Sequence, residues 1–96
     1  MAAYTIVEVQ EVMDPDGFAE YREKVGPILA QYGAKMIARG NQIDPLDGDW
    51  ESAVLIIFEF ESQERIRAWR DSEAYREIIP LRDRSARLRI LSVPGA

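Results

Sequence analysis

The chain has 96 residues, with 12 Lys plus Arg against 17 Asp plus Glu for a net charge of −5, and it contains neither Cys nor His. That length suits a single domain spanning 1–96. The missing side chains remove Ser–His and Cys–His nucleophiles, thiol redox chemistry, zinc sites of the usual N/S kind and proximal-His haem. Carboxylates, Lys, Tyr, Ser/Thr, Arg and backbone groups are left to act, and the acidic balance argues against a nucleic-acid partner.

No apolar run approaches the length of a membrane span and no basic-then-apolar leader opens the chain, so no membrane role and a cytoplasmic location are expected. The charge is uneven. Residues 1–61 hold 12 acids and only Arg22, Lys24, Lys35 and Arg39 as bases, whereas residues 62–96 hold eight arginines against five acids. The plain expectation is that the halves interleave and pair their charges on the surface. The sharper one is an electropositive pocket for an anion, built from the late arginines.

Residues 3–12 predict a strand with Tyr4 and Ile6 on one face and Thr5, Val7 and Val9 on the other. Asp14 suits a helix N-cap and Pro15 the first helical position, so a helix is expected to about Tyr32. Its inner face takes Phe18, Tyr21, Val25, Ile28, Leu29 and Tyr32, with Glu20, Arg22, Glu23 and Lys24 toward water. Pro27 invites a kink and Gly33 a stop. Ala34 to Gly40 predicts a second, shorter strand, and Asn41 to Trp50 a turn-rich link. The acids of that link lack EF-hand spacing, so a solvated loop is expected there and no metal is indicated.

The next strand, about Ser52 to Glu61, is the most apolar run in the chain. Val54, Ile56, Phe58 and Phe60 have one parity, Ala53, Leu55 and Ile57 the other, which predicts burial on both sides. Ser62 caps a short helix with Ile66 and Trp69 inward, and Ser72 caps another with Tyr75, Ile78 and Ile79 inward. Pro80 is expected to break or bend this helix near Leu81, and Arg87 to Val93 is the last strand.

Two strand–helix–strand halves in one domain predict an α+β, ferredoxin-like βαββαβ fold: a four-stranded antiparallel sheet with helices on one face. Helices on one face cannot cover both sides of the central strand. A second copy of the chain is the simplest cover, so a homodimer packed sheet face to sheet face is expected.

Asp14-Pro15 with Phe18 and Tyr21, Ala38-Arg39-Gly40, Asp47-Gly48-Asp49-Trp50, and Trp69-x-x-Ser72-x-x-Tyr75 followed by Leu81-Arg82 give the chain its family likeness. Together they resemble a bacterial domain-of-unknown-function family of the dimeric α/β-barrel superfamily. The resemblance spans nearly the whole chain. It departs at Gly33-Ala34, where two glycines are common, and at Asp47, where Glu is usual. It implies a ferredoxin-like dimer whose sheets form a barrel. It leaves the activity open, since the superfamily holds cofactor-free antibiotic-biosynthesis monooxygenases, small isomerases, haem enzymes and ligand-binding proteins.

Candidate ligand-binding residues are Arg39, Trp50, Trp69, Tyr75 and Arg82, and the weak catalytic candidates are Glu59 and Tyr75. Arg39, in a strand, is read as an anion-binding guanidinium at a pocket mouth or, more simply, as a salt bridge to Glu59 or Asp47. Glu59 interrupts the apolar strand; desolvation there would raise its pKa and suit it to proton transfer, although emergence of the strand or an arginine partner explains it as well. Trp69 and Tyr75 either wall a pocket, with Arg82 orienting a ligand, or fill the core beneath a helix junction. Trp50 either closes the same space or covers the dimer seam. The remaining late arginines are read as a solvated helix face. Three functions follow: a small dimer binding a partly apolar molecule, anionic or neutral, between helices and sheet; a cofactor-free oxygenase or isomerase acting on a small carbon acid; or a structural dimerisation module. None of them calls for a cofactor.

Overall fold

The computed structural model describes residues 1–50 and 53–96. The elements run β1 (Ala3–Val12), α1 (Pro15–Gln31), β2 (Lys35–Gly40), β3 (Val54–Phe60), α2 (Gln63–Asp71), α3 (Glu73–Ser85) and β4 (Ala86–Pro94). The four strands form one antiparallel sheet in the order β2-β3-β1-β4, which is the ferredoxin-like arrangement. The expected start of the central strand at Ser52 lies outside the described residues.

Local chemistry fixes the helix ends. Asp14 accepts a hydrogen bond from Gly17 N at 3.2 Å with Pro15 just inside the helix, and Gly33, at φ 79°, lets the chain leave α1 in a conformation that favours glycine. Ser72 does two jobs at once. Its hydroxyl donates to Trp69 O at 2.7 Å, closing α2, and accepts from Tyr75 N at 3.2 Å, opening α3. Neither internal proline ends its helix: α1 runs on past Pro27, and α3 continues through Pro80 to Ser85 rather than breaking near Leu81. The residues past Pro80 are anchored by tertiary contacts that override its local penalty. Ser85 O accepts from the backbone N–H groups of Met13 and Asp14 at 2.8 and 3.0 Å, while Ser85 Oγ donates within the helix to Leu81 O at 2.6 Å.

The helices lie on one face of the sheet. Ala3, Thr5, Val7 and Val9 of β1 stand in register with Phe60, Phe58, Ile56 and Val54 of β3, and these residues meet the apolar stripes of the helices. Phe60, Trp69 and Tyr75 pack into one aromatic run of this core, with the Phe60–Trp69 ring centroids 5.8 Å apart and the Trp69–Tyr75 centroids 4.6 Å apart. Burying each aromatic side chain contributes roughly 1.5–3 kcal/mol.

The other parity faces away from the helices. Tyr4, Ile6 and Glu8 pair across with Glu59, Ile57 and Leu55 on one side and with Val93, Leu91 and Arg89 on the other. Within one chain this face is uncovered, so β3 is half-buried rather than enclosed on both sides as its sequence suggests. Leu91 is 50% exposed and Val93 40%. The Cα envelope measures 36 × 34 × 16 Å, a slab two layers thick. The interleaving of the charged halves is visible here: Arg87 pairs with Glu11 at 3.1 Å, and Arg89 with Glu8, across β1 and β4.

Candidate functional site

Between α1 and the sheet lies a hollow of about 400 Å³. One wall is α1, which contributes Tyr21, Val25, Gly26 and Leu29. The floor is Val7, Ile56, Phe58 and Ile90, one residue from each of β1 and β4 and two from β3, and Trp69 of α2 also lines it. At the rim stand three exposed residues, Arg22 of α1 and Met36 and Arg39 of β2. A smaller hollow of about 180 Å³ shares Arg22, Arg39 and Ile56 and extends toward Pro15 and Phe18. Volume and lining both fall within what small-molecule sites use: mostly apolar walls with a few polar groups.

The site opens at this edge because β2 carries no helix of its own. It is a short edge strand exposed along its length, and its pairing with β3 shifts between Met36 and Ala38. The shift puts Arg39 beside Ile56, on the helix side, while Glu59 sits opposite Lys35 and faces the other way. This separates the two residues expected to pair. Among the described residues Arg39 forms no ion pair, and Asp47 lies in the exposed loop without one.

Deeper in, a polar cluster joins α1 to α3. The Tyr21 and Tyr75 hydroxyls are 3.0 Å apart, and Arg82 Nη1 donates to the Tyr75 oxygen at 2.9 Å. Tyr75 is fully buried and Tyr21 is 6% exposed. Burial first, and then the adjacent Tyr75 oxygen, push the Tyr21 hydroxyl far above the ordinary tyrosine range, so it stays neutral. For Arg82, burial works against the charge, but Tyr75 and an Asp83 carboxylate at 3.0 Å outweigh it and hold the guanidinium above its ordinary value. Trp69 packs its ring against Tyr75 at 4.6 Å, and its buried Nε1 has no hydrogen-bond partner among the described residues.

Of the residues singled out in the sequence, Trp69, Tyr75 and Arg82 therefore come together, with Trp69 and Arg39 lining the hollow. Trp50 stands apart, 48% exposed at the end of the loop. Glu59 lies on the opposite face of the sheet, where Tyr4 donates to its carboxylate at 3.4 Å. Sequence reasoning missed Tyr21 and Arg22 as lining residues. Tyr21 reads only as core from its helix, since its hydroxyl partner is 54 positions away; Arg22 reads as solvent-facing, being one step round the helix from the buried stripe.

No helix is long and apolar enough to cross a membrane among the described residues. Similar solved structures agree on the fold. A protein of unknown function from Rhodopseudomonas palustris, RPA0582, is 20% identical with a TM-score of 0.71, the match covering 99% of this chain and 82% of that one. A dimeric ferredoxin-like protein of unknown function from Jannaschia sp. CCS1 is 9% identical with a TM-score of 0.73, covering 99% and 100%. SnoaB, a cofactor-independent oxygenase from Streptomyces nogalater, is 6% identical with a TM-score of 0.71, covering 99% and 93%. No curated protein matches the chain. The family profile for a domain of unknown function, DUF1330, matches residues 2–96, and the chain belongs to that family, with the ferredoxin-like fold seen in dimeric α/β-barrel proteins.

Proposed function

We propose that this protein is a small cytoplasmic homodimer that binds a small, partly apolar molecule between α1 and the sheet. The observation that carries the reading is the hollow of about 400 Å³, which a well-packed domain of this size would otherwise fill with side chains. Pairing of two copies through the uncovered sheet face accounts for the apolar residues Ile6, Leu55, Ile57, Leu91 and Val93, which have no use in a lone protomer. The Jannaschia neighbour of the same fold is dimeric, which supports pairing of two copies. Ligand contact falls to Arg39 and Trp69 directly. Tyr75 and Arg82 act through Tyr21, and Trp50 is held for the dimer seam.

Native mass spectrometry of the protein as purified tests both parts. The reading expects a mass of twice the 11.0 kDa chain with a retained small molecule. A monomer at micromolar concentration would contradict the dimer. A dimer that retains nothing and binds no apolar probe would leave only a structural dimerisation module.

A second reading, a cofactor-free oxygenase or isomerase acting on a carbon acid, draws on the fold shared with SnoaB. The groups available for proton transfer weigh on it. Glu59 is across the sheet from the hollow, and the Tyr75 oxygen is engaged by Tyr21 and Arg82. Turnover of such a substrate that is lost in Glu59→Gln with binding retained would favour this reading.

A further inference from the structure

The polar groups of the hollow share one property. Each is a hydrogen-bond donor, and among the described residues no Asp or Glu lines either hollow, in a chain with 17 acids. At the rim, Arg22 and Arg39 line the same space from α1 and β2, and neither has a carboxylate partner among the described residues; the Arg22 guanidinium lies over the Phe18 ring at 5.5 Å. Farther in, the 3%-exposed Trp69 carries an indole N–H with no acceptor among the described residues.

The tyrosine pair adds another donor. Arg82 can only donate, so the Tyr75 oxygen accepts from it, and two phenolic protons remain for the single contact between Tyr75 and Tyr21. One of them is left over. If Tyr21 donated to Tyr75, the leftover proton would be on fully buried Tyr75, with no other acceptor for it among the described residues. The order Arg82 to Tyr75 to Tyr21 instead leaves it on Tyr21, a residue that lines the hollow. A space with apolar walls and two guanidiniums at its mouth complements a molecule with an apolar body and acceptor oxygens.

We infer that the ligand is an amphipathic carboxylate. Its carboxylate is held between Arg22 and Arg39, and its alkyl or aryl body enters the hollow toward Tyr21, Leu29 and Trp69. Guanidinium pairs suit carboxylates because their N–H forks match the two oxygens. This assignment rests on the binding role proposed above and adds the chemical class.

The test is calorimetric titration with two matched pairs, decanoate against decanol and naphthylacetate against naphthylethanol. It uses the parent protein, Arg22→Gln, Arg39→Gln and the double variant, with circular dichroism confirming the fold of each. Both arginines are exposed, so the variants should fold. The expected result is that at least one carboxylate binds on the order of tenfold more tightly than its alcohol, and that this preference disappears in the double variant. Added salt should erode it as well. Equal binding of acid and alcohol would overturn the carboxylate assignment while leaving the binding role standing. A preference that survives in the double variant would also overturn it, because the charge would be sensed elsewhere. No binding of any probe would overturn both.

Discussion

Tyr21→Phe and Tyr75→Phe remove the same atom from two sides of one contact, yet the structure makes their costs unequal. Tyr21 has one partner, the Tyr75 hydroxyl, at 3.0 Å. Removing it forfeits that hydrogen bond and leaves the buried Tyr75 proton without its acceptor, a loss of roughly 1–2 kcal/mol, while Tyr75 keeps its bond from Arg82. Tyr75 is the hub. Its removal takes away that bond and the charge-assisted bond from Arg82 at 2.9 Å, and strands a buried Tyr21 hydroxyl. The Arg82 side chain is 15% exposed, so water compensates little, and the total loss is roughly 2–4 kcal/mol. At about 4–8 °C per kcal/mol for a domain of this size, Tm should fall by roughly 5–10 °C in Tyr21→Phe and by more in Tyr75→Phe. Urea and thermal unfolding at one fixed protein concentration measure both, since dimerisation would couple Tm to concentration. The double variant should unfold close to Tyr75→Phe alone, because the Tyr21 hydroxyl stabilises only through Tyr75. Equal losses in the single variants, or additive losses in the double, would refute the hub arrangement.

Thr5 is 1% exposed on the helix side of β1, and its hydroxyl has no hydrogen-bond partner among the described residues, so Thr5→Val should stabilise by about 1–2 kcal/mol in the same unfolding assay. The raised pKa of Tyr21 has a signed consequence. Unfolded Tyr21 ionises near 10.0 while the folded form stays protonated well above that, so its stabilisation is intact below pH 10.0 and is lost as pH rises beyond it. Tyr21→Phe should flatten that part of the alkaline stability profile. Ile57→Asp puts a charge in the middle of the uncovered face and should shift the dimer toward monomer in sedimentation velocity; an unchanged dimer would move the interface elsewhere.

Much of this fold was legible because it is written in local terms. Asp14 and Ser72 announce helix starts through side chains that bond to the nearby backbone, and the period-two pattern of β1 separates Thr5 and Val7 from Tyr4 and Ile6 as the structure does. The both-faced apolar pattern of β3 was legible too, although within one chain only its helix side is covered. The expected break at Pro80 failed where tertiary anchoring outweighed a local rule: Ser85, whose carbonyl accepts from Met13 and Asp14 just before α1, keeps α3 helical beyond Pro80. Arg39 could not be placed because its side depends on a register shift within β2, which no periodicity encodes. The Tyr21–Tyr75–Arg82 cluster was half visible. Tyr75 and Arg82 drew notice within one helix, but Tyr21 joins them only when α1 and α3 pack together.

The most direct test of the proposed binding role is the position of a bound molecule. With methyl-labelled protein and decanoate or naphthylacetate present, intermolecular nuclear Overhauser effects report which methyl groups the ligand touches. The account predicts contacts to Val7, Val25, Leu29 and Ile90, the methyl-bearing walls of the hollow between α1 and the sheet. Contacts confined to Ile6, Ile57 and Leu91 would place the ligand on the uncovered face and contradict it.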